Sequence, residues 1–205
     1  MTTDDFLKKY PQLYHMATAD ALPQIEKYGL LSSQATLDLL NIGGTQRDLL
    51  LGARRPKSVI LEAEAIGRFV LRDQIPMRDA ALSKCLDGIS MNDWYRLLNE
   101  RVFLWATRKR VETLLAARAY RKTEHLIITV DSASFLESYA DQLDLSAINS
   151  GATLYVPPKR GIFTFSALAE FEKSNGLKPV VEVTVKYSIP DFKKYIVASE
   201  VVKAS

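Results

Sequence analysis

Two runs at opposite ends of the chain each set one polar side chain into an otherwise apolar, strand-like sequence: Leu13-Tyr14-His15-Met16-Ala17, and Val180-Val181-Glu182-Val183-Thr184-Val185-Lys186. Runs rich in Val and other β-formers belong in a sheet. A His or Glu in such a strand carries a desolvation cost, which must be offset by a structural partner or by a site that uses the group. Each residue also has a plain structural reading. His15 reads as a core imidazole bonded to a neighbouring carbonyl. Glu182 reads as the outward-facing residue of a half-exposed strand, since alternation sets Glu182, Thr184 and Lys186 on one side and the valines on the other.

Between these runs the pattern alternates helix and strand. Thr3-Asp4-Asp5 caps a short helix over Phe6 to Tyr10, and Leu22, Ile25 and Tyr28 recur at helical spacing up to Gly29. A helix from Ser32-Ser33 to Leu40 ends at Asn41-Ile42-Gly43-Gly44; that glycine pair lacks the spacing of a dinucleotide fingerprint or phosphate loop and reads as a flexible turn. Residues 58–99 read as a mostly helical insertion, with helices over 77–86 and 91–99, the second capped by Ser90. Arg101 to Trp105 is a dense strand. Thr107 then opens a helix to about Tyr120, His125 to Val130 is a strand, and Asp131-Ser132 caps a helix over Phe135 to Ala140. Leu154-Tyr155-Val156 reads as a short strand, Thr164 or Ser166 starts a helix ending at Asn175-Gly176, and Tyr195 to Val202 is the last strand. The class is mixed α+β, expected as a single domain over 1–205 with one principal core.

Composition narrows the function classes. A chain of 205 residues with 47% hydrophobic residues can bury a substantial core. One cysteine, Cys85, and two histidines, His15 and His125, give no basis for a disulfide, a cysteine zinc site or a histidine metal centre, so no metal is expected. The N-terminal sequence does not read as a secretory signal, and no run of about 18 apolar residues is present to span a bilayer. The expectation is a cytoplasmic protein without membrane contact. Net charge is +3, too small an excess to require nucleic acid. Its clustering is more informative: Arg47, Arg54, Arg55 and Lys57 gather in one loop-like region, basic residues from Arg108 to Lys122 decorate one helix, and Lys159-Arg160 follow Pro157-Pro158.

The segments L-Y-H-M-A-T-A-D-A-L-P-Q-I-E-K-Y-G-L-L-S at 13–32 and V-V-E-V-T-V-K-Y-S-I-P at 180–190, with R-V-F-L-W-A-T at 101–107 as a weaker central match, resemble the ADP-ribosyltransferase superfamily, and within it the DarT-type DNA ADP-ribosyltransferase toxins and their uncharacterised relatives. The resemblance covers about a quarter of the chain, and the middle departs from the pattern. It implies a split or strongly bent sheet with flanking helices, containing the runs at 12–16, 101–105, 125–130 and 180–186. It also implies NAD as substrate, DNA or RNA as acceptor, and an antitoxin protein as a partner class. Two alternatives stay open: a catalytically inactive binding module of the same fold, and an enzyme like the RNA 2′-phosphotransferases, for which Arg47, Arg54, Arg55 and Lys159 would converge on a phosphate.

The resemblance assigns candidate roles. Glu182 is the catalytic carboxylate, stabilising the positive centre that forms as nicotinamide leaves the ribose. His15 holds a ribose hydroxyl, with Tyr14 beside it. Arg54 is a second catalytic candidate and Arg55 a cofactor-binding one, because guanidinium forks hold phosphate oxygens bidentately; the competing reading is a pair of surface arginines before Pro56. Phe103 and Trp105 share a face and could stack on nicotinamide, or simply pack in the core. Cys85 has no sequence-adjacent His to activate it, and no Ser forms a recognisable triad with His125 and Asp131.

Overall fold

The computed structural model describes residues 1–154 and 156–204. Its strands are β1 (Gln12–Thr18), β2 (Leu30–Leu31), β3 (Val59–Ala63), β4 (Gly67–Leu71), β5 (Arg101–Trp105), β6 (His125–Asp131), β7 (Leu143–Ser146), β8 (Ser166–Ala167), β9 (Glu182–Lys186), β10 (Ser188–Ile189) and β11 (Ile196–Val202). Seven of them form one antiparallel sheet in the order β11-β6-β1-β5-β9-β7-β8. The four apolar runs expected in one sheet are β1, β5, β6 and β9 of this one, and the class is α+β.

The sheet is two blocks joined at a narrow seam. β1 pairs with β6 along seven residues and β5 with β9 along five, yet β1 meets β5 at the single pair Tyr14↔Trp105. Beyond that pair the strands diverge, and Phe103, two residues back along β5, accepts at its carbonyl from an imidazole: His15 Nδ1 lies 2.9 Å from the Phe103 oxygen. β5 therefore stands between the two terminal runs, with Tyr14 opposite Trp105 on one side and Glu182 opposite it on the other.

Helices α1 (Thr3–Lys9), α2 (Leu22–Tyr28), α3 (Ser33–Leu39), α4 (Gly44–Gly52), α5 (Asp79–Cys85), α6 (Met91–Asn99), α7 (Arg108–Leu115), α8 (Ser132–Tyr139) and α9 (Phe171–Asn175) surround the sheet. Ser32, Ser90 and Asp131 cap α3, α6 and α8 by accepting first-turn amides, and Thr2 does the same for α1. The main core lies against the face carrying Leu13, Leu104, Ile128 and Val183, under Phe135 and Phe192. The other face carries Met16 and Ile127, covered by Val111 and Leu115 of α7. No helix among the described residues is long and apolar enough to cross a membrane.

Four local expectations need correction. The 58–99 region is not mostly helical, because it opens with the β3–β4 hairpin and only then enters α5 and α6. Its apolar residues follow a period of two, with Leu61 and Leu71 turned onto Leu37 and Leu51 while Ile60 and Glu62 face solvent. The Gly43-Gly44 turn leads into α4, so Arg47 stands on a helix, paired to Asp38 at 2.7 Å, and not in a loop with Arg54 and Arg55. The helix expected from Thr164 or Ser166 breaks into short 3-10 turns, β8 and α9. Of the strand expected at 154–156, Tyr155 lies outside the described residues, and Leu154 and Val156 belong to no strand.

α2 is fastened to the chain beyond β9 by the β2–β10 pair, where Leu30 and Leu31 meet Ile189 and Ser188. Gly29 makes this approach feasible: at φ 78 and ψ −174 it occupies a region open to glycine almost alone, and a Cβ there would strike Ile189 O and Pro190 Cα. Gly29→Ala is expected to destabilise the protein by about 2–4 kcal/mol, combining backbone strain with steric overlap. Urea denaturation of the two proteins measures it, and a loss under about 0.5 kcal/mol, the range of an ordinary surface substitution, would contradict the packing described.

Candidate active site

The divergence of β1 from β5 opens a cleft of about 360 Å³, within the range of small-ligand sites. Its walls come from β1, α2, the Ser32-Ser33 turn, β4 and the segment after it, β5, the Asn149–Gly151 loop and the first residue of β9. His15, Arg55, Phe103, Trp105 and Glu182 all line it. Arg54 and Tyr14 are not among the lining residues. Arg54 donates instead to the carbonyls of Gln74 and Ile75 at 3.3 Å each, and Tyr14 packs beside Met16 and Val111 with its hydroxyl on Gln12.

His15 has its tautomer set by its partner. A carbonyl only accepts, so the bond to Phe103 requires the proton on Nδ1 and leaves a lone pair on Nε2. Burial, reinforced by the positive charge of Arg72 and opposed by the Phe103 bond, lowers its pKa to about 4. The ring is therefore neutral at pH 7, an acceptor suited to a ligand hydroxyl.

Glu182 is not the outward-facing residue that alternation allows. β9 lies between β5 and β7, and the side chain is 4% exposed because the Asn149–Gly151 loop covers it. The amide of Ser150 donates to both carboxylate oxygens, at 3.1 and 3.2 Å. Burial pushes the pKa up to about 7, against the lowering effect of the Ser150 bonds and of Arg160 and Arg110. Near neutral pH the carboxyl thus divides between its acid and base forms.

Arg160 holds the covering loop in place. Noted in the sequence only as part of a basic cluster after Pro157-Pro158, it has no solvent exposure. Its Nη1 donates to the carbonyls of Ser150 and Ala152 at 3.0 and 2.9 Å, its Nε reaches Pro158 O at 3.3 Å, and the guanidinium lies 6.0 Å from the Trp94 ring. The amide that meets Glu182 is thereby fixed at its own carbonyl by a buried cation.

Arg55 is a strut as well as a wall. Nη1 donates to Leu50 O at 2.6 Å and Asn99 Oδ1 at 2.8 Å, Nε to Arg72 O at 3.1 Å, and Nη2 to Ser33 Oγ at 3.3 Å. Four of its five donor hydrogens are used in joining α4, α6 and the segment after β4, and burial lowers its pKa to about 10. Phe103 and Trp105 share a face as alternation requires, both half-buried, with Phe103 edge-on to Phe165 at 6.2 Å. Ser150, Arg72 and Arg160 went unassigned in the sequence. The turn signal at Asn149-Ser150-Gly151 marks the loop but not the amide it offers to Glu182.

Over residues 11–196 the chain matches a family of unknown function, DUF7002, and it belongs to that family. No curated protein matches it.

The carboxyl of Glu182 has a stability signature. In the unfolded chain it titrates near 4.5, so between about pH 4.5 and pH 7 the folded protein keeps a proton that the unfolded chain has released. Its contribution therefore falls as pH rises through that window, by about 3 kcal/mol in full. His15 has the opposite slope, gaining from about pH 4 to pH 6.5 as the unfolded imidazole loses its proton. Glu182→Gln keeps an acceptor for Ser150 and removes only the first effect. The variant is expected to be about 1–3 kcal/mol more stable than wild type at pH 8, an advantage gone by pH 4.5. Denaturant unfolding across pH checks this, and a difference that does not depend on pH would overturn the burial assigned to the carboxyl.

Proposed function

We propose that the protein is an NAD-dependent ADP-ribosyltransferase whose acceptor is a nucleic acid. The observation carrying this reading is that His15 and Glu182, from opposite ends of the chain, line one cleft on either side of β5 where the sheet parts. Those are the residues, on the strands, to which the ADP-ribosyltransferase resemblance gives ribose binding and catalysis. The aromatic pair Phe103 and Trp105 supplies a flat apolar wall for the nicotinamide ring.

In this mechanism the neutral His15 accepts a ribose hydroxyl at Nε2 and fixes the sugar. The bond between the ribose carbon and nicotinamide breaks, and nicotinamide leaves with the electron pair. Ionised Glu182 stabilises the positive charge that develops, in surroundings where water does not screen it. The acceptor oxygen or nitrogen forms the new bond to carbon, and its proton passes to the carboxylate. Arg160 acts through Ser150, keeping the carboxyl in position.

A second reading, the binding module without chemistry, is favoured by one observation: both carboxylate oxygens of Glu182 are already engaged by Ser150, beneath a loop. The phosphotransferase version has less support, since Arg47, Arg54 and Lys159 are not among the cleft-lining residues and only Arg55 is.

Incubation with labelled NAD and mixed DNA, RNA and protein acceptors tests the proposal. Wild type is expected to label nucleic acid, Glu182→Ala to lower transfer by at least about 100-fold with NAD affinity nearly intact, and His15→Ala to weaken NAD binding. Below pH 7, kcat/KM is expected to fall about tenfold per pH unit as Glu182 takes up its proton. A melting shift with NAD but neither transfer nor NAD hydrolysis selects the binding module. Full activity in Glu182→Ala would remove the carboxylate from the mechanism.

A further inference from the structure

The cleft contains four arginines, and three of them are accounted for. Arg68 is paired with Asp20 and Glu62. Arg101 is paired with Glu100 and Asp144. Arg55 has nearly all its donors on neutral acceptors, as described above. Arg72, immediately after β4, has one hydrogen-bonded donor among the described residues: Nη1 to Met16 O at 3.0 Å. That leaves four donor hydrogens of its fork unused.

The side chain is nonetheless held. Its guanidinium carbon lies 5.0 Å from the centre of the Tyr120 ring, a cation–π contact. The ring is itself fixed, because the Tyr120 hydroxyl donates to Asp73 Oδ1 at 2.7 Å. The charge of Asp73 acts on Arg72 without a direct ion pair, and the Asp73 oxygens accept from neutral donors: besides Tyr120, the Ser58 hydroxyl at 3.1 Å and the Ile75 amide at 3.1 Å. Among the described residues no carboxylate forms an ion pair with Arg72. A positioned, half-buried fork with open donors and no direct ion pair suits a ligand's anion.

The location narrows the anion's class. Arg72 is anchored to the carbonyl of Met16, the residue after His15, so fork and imidazole share one wall of the cleft. A ligand reaching both presents a phosphate oxygen to one and a hydroxyl to the other.

We propose that Arg72 is the anion-binding residue of this cleft and that it seats the pyrophosphate of a nucleotide whose ribose reaches His15. The identity of the anion as a pyrophosphate rests on the transferase reading; the presence of an anion subsite does not. The phosphate role that the sequence suggested for Arg54 and Arg55 falls to Arg72, because Arg54 is not among the cleft-lining residues and Arg55 is occupied by backbone, amide and hydroxyl oxygens.

Calorimetric titration with ADP-ribose, inorganic pyrophosphate and adenosine, on wild type, Arg72→Gln and Arg72→Lys, tests this. Gln retains a donor for Met16 O, Lys retains the charge, and melting curves establish that each variant folds. For Arg72→Gln, affinity for ADP-ribose and pyrophosphate is expected to fall roughly 10- to 100-fold, with adenosine binding within about twofold of wild type. Arg72→Lys is expected to recover part of the loss, since a point charge replaces a fork. If ADP-ribose binds Arg72→Gln within about twofold of wild type, or if wild type binds none of the three probes, the proposal is overturned. Arg72-dependent binding of pyrophosphate without turnover of NAD would leave the subsite standing and defeat the transferase reading. Turnover of NAD with ADP-ribose affinity independent of Arg72 would do the reverse.

Discussion

The hydrogen bond from the His15 imidazole to the Phe103 carbonyl stands where a β1–β5 ladder would otherwise continue, and the site depends on it. An unbroken ladder would satisfy that carbonyl with a backbone amide and leave no cleft. With only Tyr14↔Trp105 paired, the two blocks diverge, and a carbonyl near the seam needs another donor. The imidazole supplies it. In doing so it fixes its own tautomer and keeps a lone pair on the other nitrogen, so one contact serves both the fold and the site.

The opposite wall follows a different logic. Glu182 is buried where a carboxylate is costly, and the structure offsets that cost incompletely, with one backbone amide and two arginines acting at longer range. A closer ion pair would stabilise the charged form and lower the pKa well below neutrality. Arg160 is withheld from that role: its Nη1 binds the carbonyls of Ser150 and Ala152 and thus orders the loop that contacts the carboxyl. The outcome is an acid poised near pH 7, at the expense of stability above it.

Strands β1, β5, β6 and β9 are legible in the sequence because they are dense apolar runs: 125–130 is buried at every position, 180–186 at every position but Lys186, and 101–105 at all but the half-buried Phe103 and Trp105. The β3–β4 hairpin within 58–99 is hidden in the sequence because Glu62-Ala63-Glu64-Ala65 favours helix locally, and the period of two is visible only once Leu61 and Leu71 are known to share a core with Leu37 and Leu51. His15, Glu182, Phe103 and Trp105 are singled out by the resemblance and by their strands, and the structure sets all four in the lining of one cleft. Arg54 and Arg55 were not separable. Pro56 keeps the preceding backbone extended, where successive side chains diverge, and nothing local says which one turns inward. Arg72 and Arg160 were out of reach, since what distinguishes them is the set of partners they have or lack across the fold.

The central claim is that one ligand bridges His15 and residue 182 at the sheet seam. A crystal structure of Glu182→Gln protein soaked with NAD measures this most directly. The account predicts the nicotinamide-bearing ribose between β1 and β9, with a hydroxyl on His15 Nε2 and the ring against Phe103 and Trp105. Millimolar NAD bound elsewhere on the molecule, with the cleft empty in a crystal that leaves it open, would contradict it.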